Sequence, residues 1–140
     1  MRRITAIVVA AFLIAAACGD DEGGGTTTGA SPLAAGGSLY ESVCASCHGS
    51  GGGGGVGPAL DVVTSDFPDC ADQVRWITLG SSGWEDQVGP SYGALEKPVR
   101  GGMPAYEDAL TEQEIREVSA FIRARFAGQP EGDALTDCGA

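Results

Sequence analysis

Five consecutive residues, Cys44-Ala45-Ser46-Cys47-His48, constrain this chain more than any other feature. Two thiols three positions apart lie on one face of a short helix, and the next residue adds an imidazole beside them. This C-x-x-C-H spacing is typical of a covalent attachment site for c-type haem. His48 is the only histidine of the chain, so any imidazole ligand must be His48.

Two other interpretations of the paired cysteines are weaker. A zinc site needs about four ligands, and one histidine with scattered cysteines makes a poor set. A thiol redox motif of the thioredoxin type expects a strand–helix–strand context. Residues 49–57 are instead nearly all glycine, so a loop must follow the motif. The same glycines match no phosphate-binding loop, because no Gly-Lys-Ser/Thr follows them.

The N-terminus predicts export. Arg2 and Arg3 precede an apolar run over residues 4–17, which is too short to span a bilayer and typical of a signal-peptide core. Cys18 follows three alanines, so residues 1–17 resemble a bacterial lipoprotein signal with Cys18 as the lipid-modified residue. An ordinary secreted protein, with Cys18 free or removed, is the alternative.

Three further segments follow the predicted signal peptide. Residues 18–36 are rich in glycine, threonine and acidic side chains, which predicts a flexible tether between the lipid and a folded domain. We expect one small domain over 37–128 and a C-terminal tail over 129–140. If Cys18 is lipidated and Cys44 and Cys47 bind haem, then Cys70 and Cys138 remain as a disulfide pair, or one or both stay free.

The charge is strongly acidic. Removing residues 1–17 leaves six basic residues against 19 acidic ones, a net charge of −13. A surface of this sign argues against nucleic acid as a partner. It favours redox proteins with basic docking patches, at association rates that fall with added salt.

Hydrophobic spacing predicts an all-α domain of three to four short helices joined by long loops. The periods predict helices over about 38–47 and 69–79. A capping box, Thr111-Glu112-Gln113-Glu114, begins a third helix that Gly128 and Pro130 end. Glycines and prolines interrupt residues 81–102, which predicts an irregular loop, and no strand is predicted.

A lone methionine offers a second metal ligand. Met1 leaves with the signal peptide, so Met103 is the only mature thioether, 55 residues after His48. It lies in Gly101-Gly102-Met103-Pro104, a turn before the last helix. An isolated methionine is usually a packing residue, but a glycine–proline turn is an unusual place for one.

These motifs together resemble the class I monohaem cytochrome c family over about residues 37–127. The matching features are Gly37-x-x-Tyr40 before the motif, Gly57-Pro58-x-Leu60 after it, Leu79-Gly80, Met103-Pro104 and the closing helix with Phe121. The stretch from Gly80 to Met103 is longer than in compact members.

The resemblance implies one covalent haem c with thioether bonds to Cys44 and Cys47. His48 is then the proximal ligand, its second ring N–H donates to the Pro58 carbonyl, and Met103 is the distal ligand. Histidine–methionine ligation raises the reduction potential.

The resemblance also implies a surrounding pocket. Gly37 lets the first helix cross the last, where Tyr40 and Phe121 pack, and Leu60 covers a haem face. Indole and phenol groups seek polar partners when buried. The remaining candidates are two indoles and a phenol that either pack in the haem pocket or donate a hydrogen bond to a haem propionate: Trp76, Trp84 and Tyr92.

Three functions remain open on these grounds. The first is a one-electron carrier with no small-molecule substrate and no catalytic residue, at the outer face of the cytoplasmic membrane or in the periplasm. The second is a haem enzyme or gas sensor in which Met103 is displaced. The third is an exported binding module without haem, its cysteines forming only disulfides.

Overall fold

The computed structural model describes residues 31–140, and the predicted signal peptide, Cys18 and most of the predicted tether lie outside that range. The described chain is mainly helical, as the sequence predicted. Its helices are α1 (Pro32–Leu39), a π-helical turn (Tyr40–Cys44), α2 (Ala45–His48), α3 (Val63–Asp66), α4 (Cys70–Gln87), α5 (Glu112–Arg125) and α6 (Glu131–Cys138).

The first helical segment is longer than predicted. It begins at Pro32 instead of residue 38, because the Ser31 hydroxyl accepts a hydrogen bond from the Ala34 amide and proline is favoured in the first turn. The segment continues without a break through His48. Residues 32–36 are therefore helix rather than tether, and the folded part begins before the predicted boundary at 37.

Helices α1 and α5 cross at a very short distance. A Cβ atom at Gly36 would lie 2.2 Å from the Glu117 carbonyl oxygen, whereas one at Gly37 would lie 2.9 Å from the edge of the Phe121 ring. The backbones thus meet at Gly36, and Gly37 faces the aromatic group. Tyr40 packs beside the crossing, with its ring centroid 5.7 Å from that of Phe121.

Helix α4 continues past the glycines that were expected to end it at residue 79. It runs from Cys70 to Gln87 and bends at Gly80, whose φ of 62° is open to glycine at little cost. Residues 81–102 are consequently not one irregular loop. Their first part is helix, and their second part contains a short antiparallel hairpin, β1 (Ser91–Tyr92) with β2 (Lys97–Pro98), which the sequence did not predict.

The capping box of α5 is present as predicted, because the Thr111 hydroxyl and the Glu114 carboxylate each bond the other residue's backbone amide. The predicted tail of residues 129–140 instead contains α6, which buries Ala134 and Cys138 in the core. Cys70 and Cys138 stand as a disulfide pair with Cα atoms 5.1 Å apart, so α6 lies against the start of α4.

The core has two parts. One surrounds Cys70 and Cys138 between α4, α5 and α6, and the other surrounds Tyr40, Phe67 and Ile122. Arg123 is only 2% exposed near Phe67. Within residues 31–140, no helix has both the length and the hydropathy that crossing a membrane requires.

Candidate haem site

The motif residues face a large cavity of about 550 Å³. Its walls come from segments far apart in sequence: the end of the first helical segment, the loop over 56–60, α4, the hairpin and the turn at residues 101–104. The predicted site residues that line it are Cys44, Cys47, His48, Pro58, Leu60, Trp76, Tyr92 and Met103. Folding therefore brings the predicted ligands to one mainly apolar space.

His48 has a fixed orientation at this cavity. Its Nδ1 lies 2.8 Å from the Pro58 carbonyl oxygen. A carbonyl can only accept, so Nδ1 carries the proton and Nε2 is the nitrogen that keeps a free lone pair. A Cβ atom at Gly57 would lie 2.9 Å from the imidazole ring, so the loop backbone rests directly against it. The ring is thus positioned for a metal bond through Nε2.

The two motif cysteines are free and differ in burial. Cys44 is partly buried and Cys47 is exposed. Burial, with a smaller effect of the Cys47 thiol, raises the pKa of Cys44 to about 11. Catalytic and metal-binding thiols instead have lowered pKa values. In the described range no group of three His, Cys, Asp or Glu side chains could hold a metal ion, so a zinc site does not fit.

Met103 is held by side chains from α4. The Trp76 indole Nε1 donates to the Met103 sulfur at 3.0 Å. The Met103 amide donates to the Ser81 hydroxyl at 3.1 Å, and the Ser81 amide donates to the Met103 carbonyl oxygen at 2.9 Å. Sequence reasoning missed Ser81, because nothing in a Gly-Ser-Ser-Gly segment indicates a helix that continues beside residue 103.

Comparison with known proteins identifies the family. The model of the family described as Cytochrome c matches residues 33–125, which are 93 of the 140 residues. This chain is a cytochrome c. It is of the class I monohaem type, and it carries one covalently attached haem c. The cavity suits that group, since an apolar space adjoins two free thiols, an oriented imidazole and a thioether.

Relatives of the cytochrome differ in size. It is 27% identical over 93 residues to cytochrome c6 of Leptolyngbya boryana, covering 64% of this chain and 87% of that one. It is 31% identical over 94 residues to the cbb3-type cytochrome c oxidase subunit FixP of Sinorhizobium medicae, covering 64% of this chain and 29% of FixP.

Two further similarities involve a much longer protein and a solved structure. A nicotinate dehydrogenase subunit of Pseudomonas putida is 26% identical over 100 residues, which are 68% of this chain and 7% of that relative. The cytochrome thus spans less than a third of two of its curated relatives. The crystal structure of cytochrome cL from Methylophaga aminisulfidivorans aligns with a TM-score of 0.46 at 28% identity, covering 69% and 55% of the two chains.

A polar corner of the cytochrome's cavity was not predicted. The Lys97 ammonium lies 2.7 Å from the Asp66 carboxylate, and Asp66 is 8% exposed. The hydrogen bond that the Lys97 ammonium donates to the Asp66 carboxylate raises the pKa of Lys97, although burial opposes it. Arg100 and Gln73 also line the cavity. Only the hairpin brings Lys97 to Asp66, so local sequence carried no sign of the pair.

Two of the predicted pocket residues do not line the cavity. Trp84 is buried, and its indole N–H donates to the Ser91 carbonyl oxygen at 2.9 Å, so it is already bonded without a propionate. Tyr40 is fully buried between Phe121 and Phe126, and its hydroxyl donates to the Gly49 carbonyl oxygen. Neither side chain faces the cavity.

Proposed function

We propose that this cytochrome c is a one-electron carrier whose haem is bonded to Cys44 and Cys47 and whose iron is bound by His48 and Met103. The observation that carries the proposal is the convergence of all four side chains on one cavity, although Met103 is 55 residues from His48. Haem supplies a one-electron couple when bound. Two protein ligands leave no coordination position for a substrate, which favours electron transfer over catalysis.

The chain's own residues would serve this couple in distinct ways. The Pro58 carbonyl keeps His48 in one tautomer, and such partners raise the basicity of a ligating imidazole. The apolar lining excludes water, which also tunes the potential. The cavity stays open at exposed Cys47 and at Val56, which is 92% exposed. Electrons would pass through that edge.

The covalent attachment is tested by mass spectrometry of holoprotein from a host that matures c-type cytochromes. The wild-type protein should carry the added mass of one haem. Cys44→Ser and Cys47→Ser should each lose a thioether bond, and the double variant should lose the covalent haem. Cys18→Ser is the matched control, since the same change there should leave the haem mass in place. A wild-type protein without the added mass would refute the proposal.

The axial ligands are tested by absorption spectra. The ferric wild-type protein should be low-spin with a weak near-infrared band from the thioether–iron bond. Met103→Ala and the bulkier Met103→Leu should both lose that band and lower the reduction potential, because a thioether stabilises ferrous iron. A high-spin wild-type spectrum, or an unchanged potential in both variants, would favour the haem enzyme or sensor instead.

We further propose that the protein works at the outer face of the membrane, tethered by a lipid on Cys18, and passes electrons to redox proteins with basic patches. The support is the signal-like sequence over 1–17, the acidic composition and the oxidase and dehydrogenase subunits among the relatives. Cys18→Ser should move the haem protein from the membrane fraction to the soluble fraction. Electron transfer to the partner should slow as salt is added, and a rate independent of salt would contradict the basic partner.

A further inference from the structure

The bend in helix α4 brings a distant turn against the helix. At Gly80 a Cβ atom would lie 2.5 Å from the backbone of Pro104 and of Ala105. The positive φ of Gly80 redirects the helix axis there. Any other residue at position 80 would therefore meet both a steric clash and an unfavourable backbone conformation. The contact fixes the backbone directly after Met103 relative to α4.

Ser81 joins the two segments directly after this bend. It exchanges two hydrogen bonds with the backbone of Met103, one from its amide at 2.9 Å and one to its hydroxyl at 3.1 Å. Ser81 is only 1% exposed, so its hydroxyl is shielded from solvent. A buried backbone amide left without an acceptor costs about 1–3 kcal/mol, which makes the hydroxyl important for this turn.

Trp76 holds the side chain of Met103. Its indole N–H donates to the Met103 sulfur at 3.0 Å. The indole is itself fixed by neighbouring rings, with centroids 4.4 Å away for Tyr92 and 6.1 Å for Phe67. A thioether is a weak acceptor, so a donor held this rigidly restricts where the sulfur can lie.

We propose that Trp76 and Ser81 are positioning residues that hold Met103 for the iron and that the Trp76 N–H raises the reduction potential. This inference rests on the proposed role of Met103 as distal ligand. The positive end of the N–H dipole lies at the sulfur, and it would disfavour the extra positive charge of a ferric iron bound to that sulfur. The Ser81 bonds act on a different property, because they resist movement of the turn that would free the sixth coordination position.

The chain supplies a matched control for each residue. Trp76→Phe removes the donor but keeps an aromatic ring, and Trp84→Phe makes the same change at an indole on α4 that donates to the Ser91 carbonyl instead. Ser81→Ala removes the hydroxyl. Ser119→Ala makes that change at a buried serine whose hydroxyl has no partner within the described residues. All four variants would be studied as holoprotein, with circular dichroism and thermal unfolding to show that each is folded.

Two measurements distinguish positioning from general packing. The first is the midpoint potential. Trp76→Phe should lower the ratio of reduced to oxidised protein in a fixed redox buffer by about three- to tenfold, the scale of one hydrogen bond, while Trp84→Phe should change it by less than about twofold. The second is the affinity of the ferric protein for imidazole, which must displace Met103. Ser81→Ala and Trp76→Phe should raise that affinity by about three- to tenfold, and Ser119→Ala should not.

The possible failures are separable. A wild-type protein without the near-infrared thioether–iron band would refute Met103 as ligand and this inference with it. A wild-type protein that has the band, with Trp76→Phe and Ser81→Ala matching their controls in potential and imidazole affinity, would overturn this inference alone. If the test and control variants shift equally, the effect belongs to packing and the inference is also wrong.

Discussion

Replacing Gly36 with alanine should destabilise this cytochrome more than the same change at Gly37. The new methyl group at position 36 would lie 2.2 Å from the Glu117 carbonyl oxygen, and ordinary contact begins near 3.4 Å, so the helices must separate by about 1.2 Å (3.4 − 2.2). The obstacle is helix backbone, which cannot rotate away. At Gly37 the nearest atom is 2.9 Å away on the Phe121 ring, a side chain that can shift.

The size of each effect follows from two opposed terms. Overpacking a close contact costs typically about 1–3 kcal/mol, and more where the backbone must move. Alanine in place of glycine stabilises the helix by about 1 kcal/mol, because its helix propensity is higher. Gly36→Ala should therefore lower the free energy of unfolding by about 2 kcal/mol or more, and Gly37→Ala by less than about 1 kcal/mol. At roughly 4 °C per kcal/mol for a domain of this size, Gly36→Ala lowers Tm by about 8 °C.

The assay is reversible guanidinium unfolding of the three holoproteins, followed by far-ultraviolet circular dichroism, with thermal scans of the same samples. Covalent haem keeps the cofactor with the unfolded chain, so the midpoints report the fold. Equal stability of Gly36→Ala and the wild-type protein, or greater damage from Gly37→Ala, would refute the reasoning, because either result would mean that α1 and α5 meet at another residue.

Three further predictions concern stability. Replacing Cys70 and Cys138 with serine should lower the free energy of unfolding by about 2–5 kcal/mol, and a reductant should then have no further effect; an unchanged midpoint would argue against the disulfide. Arg123→Lys should lower the free energy of unfolding by about 2–4 kcal/mol, because an ammonium cannot replace the four hydrogen bonds of this buried guanidinium. The same change at exposed Arg125 should leave the free energy of unfolding at the wild-type value. Hydrogen bonds from Thr111 lower the pKa of Glu114, so Glu114→Gln should lower Tm at neutral pH. The difference in Tm between the variant and the wild-type protein should vanish as the pH falls through that lowered pKa, and a difference that persists in acid would contradict the capping role.

The amino-acid sequence alone predicted the family, the all-α class and the set of haem-binding candidates. These conclusions depend on short motifs and on the number of residues of each type. The motif of residues 44–48 is defined by spacing, and the axial candidates follow because residues 18–140 contain one histidine and one methionine. The start of α5 was predictable for the same reason, since a capping box uses residues three positions apart.

Other features depended on contacts between distant segments. Glycine at position 80 is compatible with either the end of α4 or a bend in it. The structure shows a bend, and the backbone of residues 104–105 packs against Gly80 there. Trp76 and Trp84 lie on one helix and looked alike in sequence, yet one indole reaches the Met103 sulfur and the other a hairpin carbonyl. Side-chain partners more than a turn apart are set by how helices and loops pack, so only the tertiary structure could assign them.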